Sequence, residues 1–146
     1  MPQAQHTVTI RRPVEAVFDF VADGVKCPQW RPGVLDIKRV SGDGVGTVYE
    51  QGVRGPMGRR IAADYRVTSL EPNRVLAFET IAGPVRPRGR YEFAADDGAT
   101  RLTFSLEAEM SGLRKLFMGS MVSRTMASEV MTLENLKRVL ETSSSS

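Results

Sequence analysis

Glu129 is the residue of this sequence most in need of a chemical explanation. Helical residues turn ~100° per step, which sets Glu129 among Met118, Val122, Met126, Leu133 and Leu136 on one stripe of a long C-terminal helical stretch. A carboxylate in an apolar, sheet-facing stripe is costly unless it is paired or protonated. Three readings stay open: a surface glutamate on a slightly rotated helix, a buried partner for an arginine, or a cavity acid. The third makes Glu129 the candidate catalytic residue, able to hold a ligand hydroxyl or pass a proton beside a tyrosine such as Tyr65 or Tyr91.

Those tyrosines belong to a wider set. Tyr49, Tyr65 and Tyr91 fall on three different candidate strands, with Phe78, Phe93 and Phe104 at matching parity and Gln51 on the face of Tyr49. Trp30 stands just before Pro32, where short helices would close one end of a cavity. Buried phenols need hydrogen-bond partners, which a polar ligand or water supplies; the competing reading is that the rings simply fill a core. Five methionines between Met110 and Met131 favour a pocket, because flexible thioethers suit adaptable apolar surfaces. The candidate ligand-binding residues are therefore Trp30, Tyr49, Gln51, Tyr65, Phe78, Tyr91, Phe93, Phe104, Met118, Val122, Met126 and Glu129.

Other chemistry has less support. The single histidine, His6, lies near the N-terminus, and no Gly-x-Ser-x-Gly elbow accompanies it. One cysteine excludes an internal disulfide and a cysteine-built zinc site, so neither a metal nor a cofactor is expected. Asp96-Asp97 reads as a turn, and Glu107 and Glu109 as the wet side of a strand. Gly42, Gly44 and Gly46 read as a hairpin, since no helix N-terminus follows to hold a phosphate. Cys27 reads as a small buried or half-buried side chain. Arg86, Arg88 and Arg90 share a strand face opposite Gly89, Tyr91 and Phe93, either as a solvated row or as a surface for an anion.

The chain has 146 residues and a net charge of +3, with its basic residues interleaved with acids rather than gathered in a stripe. That dispersion argues against nucleic acid as a partner. No apolar run approaches the ~20 residues of a membrane span, and no charged leader opens the chain, so a cytoplasmic location is expected. Residues 1–142 read as a single domain and residues 143–146, four serines, as a disordered tail.

The elements that must position these groups follow from period and punctuation. Thr7 to Ile10 alternate as a strand; Pro13 suits a first helical residue, and Val14, Val17, Phe18 and Val21 mark one face of a short helix stopped by Asp23-Gly24. Val25 to Trp30 add a second short helical piece. Period two then predicts strands over Val34–Val40, Gly46–Arg54, Arg59–Leu70, Arg74–Ile81, Arg88–Ala94 and Thr100–Met110, joined by short Gly-, Pro- and Asp-bearing turns and therefore antiparallel. Ser111 reads as an N-cap, followed by an uninterrupted helix from Gly112 to about Glu141.

This order resembles the SRPBCC (START-like) superfamily and its polyketide cyclase/dehydrase branch. The resemblance is carried by Val8-Thr9-Ile10-Arg11-Arg12-Pro13-Val14-Glu15-Ala16-Val17-Phe18, by Pro28-Gln29-Trp30-Arg31-Pro32-Gly33-Val34 and by Val45-Gly46-Thr47-Val48-Tyr49. It continues in Tyr65-Arg66-Val67-Thr68-Ser69-Leu70-Glu71-Pro72-Asn73-Arg74, Gly98-Ala99-Thr100-Arg101-Leu102-Thr103 and Leu136-Lys137-Arg138-Val139-Leu140-Glu141. It implies an α+β helix-grip fold: a curved antiparallel sheet of about seven strands gripping a long C-terminal helix, with two short helices after the first strand. It also implies a cavity between sheet and helix for a hydrophobic or amphipathic small molecule, such as a lipid, isoprenoid or aromatic polyketide. A cyclase or dehydratase using acid–base chemistry in that cavity is the alternative, since fold does not fix function. The apolar excess at Leu113, Leu116 and Phe117 reads as either a homodimer contact or a pocket lid.

Overall fold

Alternation decides the sheet. In the strand Arg88–Asp96 the residues Gly89, Tyr91 and Phe93 are buried and their neighbours exposed, and Leu102, Phe104 and Leu106 repeat the pattern in Ala99–Glu107. The computed structural model describes residues 3–83, 86–108 and 113–142, without the side chains of residue 56 and residues 113–120. In chain order the elements are β1 (Gln3–Ile10), α1 (Val14–Ala22), a 3₁₀ helix (Gly24–Gln29), β2 (Val34–Ser41), β3 (Val48–Arg54), β4 (Arg60–Ala62), β5 (Tyr65–Glu71), β6 (Val75–Thr80), β7 (Arg88–Asp96), β8 (Ala99–Glu107), α2 (Leu113–Val130) and α3 (Leu133–Thr142).

The strands form one antiparallel sheet in the order β1-β8-β7-β6-β5-β3-β2, with the short β4 paired to β3 beside this path. Bulges lie between Val34 and Asp36, between Arg39 and Ser41, and between Val67 and Ser69. Each adds an unpaired residue and bends its strand, which curls the sheet. The C-terminal helices lie across the inner face, with Val122, Met126, Val130, Leu133, Leu136 and Leu140 buried against it. Polar ties fix α3 to β1: His6 Nε2 lies 2.7 Å from Glu134 Oε2, and Lys137 Nζ donates to the Thr9 carbonyl at 2.6 Å. This is the expected helix-grip architecture.

Local details differ from the expectations. The predicted strand Arg59–Leu70 is two strands, interrupted at Ala63-Asp64, because Asp64 turns its carboxylate to the Gln51 backbone N–H at 3.0 Å. β3 thereby passes from β4, where Gly52 faces Ala62, to β5, where Tyr49 faces Tyr65. The C-terminal helical stretch is interrupted at Met131-Thr132; the Thr132 hydroxyl and N–H both donate to the Glu129 carbonyl, at 2.5 and 3.0 Å. A side chain that captures a backbone acceptor competes with the helical ladder. Pro13 caps α1 in an extended conformation rather than occupying its first turn.

Gly24 has no left-handed backbone and does not serve as a turn residue. A Cβ there would lie 2.5 Å from Tyr65 Oη and 2.7 Å from the Tyr49 ring, so the glycine allows the tyrosines to approach. Ser111, expected to cap the helix, lies outside the described residues. So do the side chains of Leu113, Leu116 and Phe117, on which the dimer and lid readings rested.

Candidate functional site

Between sheet and helix lies a cavity of about 510 Å³, within the ~300–1,000 Å³ usual for small-molecule sites. Alternation places Tyr49, Gln51, Tyr65, Phe78, Tyr91 and Phe104 on its sheet wall, and α2 contributes Val122, Met126 and Glu129. The rings form a continuous chain. Tyr49 stacks on Tyr65 at 5.0 Å, Tyr65 leans on Phe78 at 5.3 Å, Phe78 reaches Tyr91 at 6.3 Å, and Tyr91 stacks on Phe104 at 4.1 Å. Gly89 stands directly opposite Phe78, and a Cβ there would overlap the Phe78 ring.

Phe93, expected on this wall, and Trp30, expected to close one end of the cavity, do not line it. Trp30 is buried at 2% exposure, edge-on to Tyr91, and its indole N–H has no hydrogen-bond acceptor among the described residues. Phe93 packs edge-on against Phe18 beneath α1. The Met118 side chain lies outside the described residues.

One corner of the cavity is polar, and a residue the sequence reading missed builds it. Arg31 follows the 3₁₀ helix, its N–H bonded to the Cys27 carbonyl at 2.8 Å. Its Nε donates to Glu129 Oε1, and its Nη1 donates to Gln51 Oε1 at 3.0 Å. Gln51 Nε2 in turn donates to the Ala63 carbonyl at 3.1 Å, which fixes the amide with its oxygen towards the arginine. Glu129 is thus an arginine partner and a cavity-wall residue together; its side chain is 28% exposed and that of Arg31 14%.

The Cys27 thiol completes the corner beside Arg31 and Tyr65. Burial is the largest single influence on Arg31 and opposes its charge, but the Glu129 carboxylate together with the neighbouring Cys27 and Tyr91 outweighs it and holds the guanidinium protonated. Burial pushes the Cys27 thiol and the Tyr65 and Tyr91 phenols up, against the smaller opposing pull of Arg31, so all three are neutral donors near pH 7. The Tyr49 hydroxyl accepts the Gly24 N–H at 3.3 Å. The available signal for Arg31 was a lone arginine between Trp30 and Pro32 in a segment meant to close the cavity.

The remaining candidates are elsewhere. Arg88 pairs with Glu107 at 3.0 Å and Arg90 with Glu92 at 3.7 Å on the outer face of the sheet, while Arg86 precedes β7 and donates to the Gly83 carbonyl. Asp96 and Asp97 are exposed at the β7–β8 turn. Among the described residues, no helix is long and apolar enough to cross a membrane.

Comparison with known proteins agrees with this geometry. The family model described as polyketide cyclase / dehydrase and lipid transport matches residues 1–141. A search of the curated proteins finds no match. Among solved structures, a protein of Thermus thermophilus superposes with a TM-score of 0.82 at 18% identity, covering 98% of this chain and 99% of that one. A START superfamily protein of Mycobacterium smegmatis gives 0.70 at 20% identity, covering 95% and 94%. The Zhui aromatase/cyclase of a Streptomyces species gives 0.68 at 19% identity, covering 94% of each chain. These likenesses establish the fold.

Proposed function

The chain belongs to the polyketide cyclase / dehydrase and lipid transport family, and from that premise we propose that it binds a hydrophobic or amphipathic small molecule in the cavity between sheet and helix. The observation that carries this reading is a largely apolar, ring-walled space of about 510 Å³ with a polar corner at Arg31. An apolar body gains from burial against the stacked rings, and one polar atom of the ligand gains a donor from Arg31, Tyr65 or Tyr91. Lipids, isoprenoids and aromatic polyketides share that design.

The reading is tested by extraction and native mass spectrometry of the expressed protein, together with a melting panel of long-chain lipids, isoprenoids and polycyclic aromatic ketones. A co-purifying apolar molecule at one per chain, or a panel member that raises the melting temperature, is the expected outcome. No co-purifying molecule and no shift across the panel would overturn it.

A second reading, a cyclase or dehydratase acting in the same cavity, has the polar corner in its favour. A guanidinium that hydrogen-bonds a ketone oxygen stabilises the enolate more than the ketone, and Glu129 is the carboxylate on the wall among the described residues. The arginine bond that occupies Glu129 favours binding over proton transfer.

A further inference from the structure

Which apolar molecules enter the cavity depends on the charge balance of its polar corner. We infer that the site selects neutral ligands bearing a ketone or hydroxyl and rejects carboxylates of the same shape, with Glu129 as the residue that sets this preference. The inference rests on the cavity-binding reading and adds a ligand class to it.

Arg31 and Glu129 are the ionised groups inside the cavity wall among the described residues, and they are bonded to each other. Arg54, the other cation on the lining, is exposed at the rim, where water and salt screen it. Cys27, Tyr65 and Tyr91 face the same corner uncharged. The sum inside is zero. Glu129, Gln51 and Cys27 occupy some of the guanidinium's five N–H donors, leaving donor capacity for a ligand carbonyl. A neutral ketone exchanges water for these donors with no charge to bury.

A carboxylate meets a different site. It must be stripped of water, and the cation that would compensate it is already neutralised by Glu129. It would also stand beside Glu129, with like charge against like charge. An arginine alone would have recruited carboxylates; the glutamate 98 residues away reverses that preference.

The test compares two fluorescent probes on one dimethylaminonaphthalene frame: prodan, a neutral naphthyl ketone, and the naphthoate in which a carboxylate replaces the propanoyl group. The acetyl analogue of prodan, a ketone of the naphthoate's size, is measured beside them so that the lost ethyl arm is not read as charge. The wild type is expected to bind prodan roughly tenfold or more tighter than the naphthoate. Glu129→Gln leaves Arg31 without its counter-charge, so the naphthoate should gain roughly tenfold or more and equal or overtake prodan. Arg31→Met should weaken prodan and leave the naphthoate weak. Should the Glu129→Gln chain not fold, Glu129→Met, which likewise removes the charge, takes its place with the same gain expected for the naphthoate.

Equal binding of the two probes by the wild type overturns the charge rule and leaves cavity binding standing. So does a naphthoate affinity unchanged in folded Glu129→Gln, or a prodan affinity indifferent to Arg31→Met. No binding of prodan by the wild type overturns the inference as well; if the lipid and ketone panel is also silent, the cavity-binding reading fails with it.

Discussion

Arg31 is costly to bury, and its neighbours explain why it is tolerated. Taking a guanidinium out of water costs several kcal/mol unless its donors are met; here Glu129 meets one with opposite charge and Gln51 another with a fixed amide. The neutral groups beside it have a consequence for stability against pH. Folding raises Cys27 from its ordinary 9.0, and Tyr65 and Tyr91 from 10.0, with burial as the first cause. The folded chain therefore keeps protons that the unfolded chain releases. The contribution is complete below about pH 9 and is lost as pH rises beyond it, at ~1.4 kcal/mol per pH unit for each group that ionises only when unfolded. Thermal melts from neutral to alkaline pH should show wild-type stability falling above about pH 9, and Tyr91→Phe falling less steeply above about pH 10. Parallel curves for the two proteins would mean that the Tyr91 phenol is not held neutral by burial. The sequence made the three tyrosines legible because alternation fixes strand parity. Arg31 was not legible, because its role depends on a partner 98 residues distant and on a 3₁₀ turn with no periodic signature.

At the scale of elements, the departures share one physical cause. β4 and β5 separate where Asp64 takes a backbone N–H of β3, and α2 and α3 separate where Thr132 takes a helical carbonyl. Hydrophobic period reports which face a residue occupies, not which side chains capture the backbone, so each was predicted as one continuous element. Both interruptions serve the site. The first carries the Ala63 carbonyl that orients Gln51, and the second ends α2 one residue after Glu129. The 3₁₀ helix contributes through close approach: Gly24 lies against the stacked Tyr49 and Tyr65 rings. Gly24→Ala drives a methyl into both, and overpacking of this kind costs ~1–3 kcal/mol. Urea unfolding should register that loss as a lower midpoint with an unchanged slope. A midpoint equal to the wild type would show that the tyrosine pair does not pack against this glycine.

The whole molecule is a sheet curled around an arm of two helices, and its interior divides into two regions. One is solid: Ile10, Val17, Leu102, Leu133 and Leu136 are fully buried where β1, α1, β8 and α3 meet. The other is hollow: α2 packs on β1 and β8, and between it and the ring chain on β3, β5, β6 and β7 lies the open space. Proteins under 25% identical keep this same frame, as expected if the solid half sets the fold and the hollow half is left to vary. The family was therefore legible from order and spacing, while the chemistry of the hollow half resides in single residues such as Arg31 and Glu129. The hollow is thus the proposed place of ligand binding. Fluorescence titration with prodan, on the wild type and on Met126→Trp, decides whether it is. Met126 is 3% exposed on the cavity wall, and an indole there occupies the space a ligand would take. Saturable binding at one probe per chain is expected in the wild type, weakened roughly tenfold or more in a Met126→Trp protein that still melts cooperatively. Undiminished binding by that folded variant would contradict it, since the probe would then be held outside the cavity.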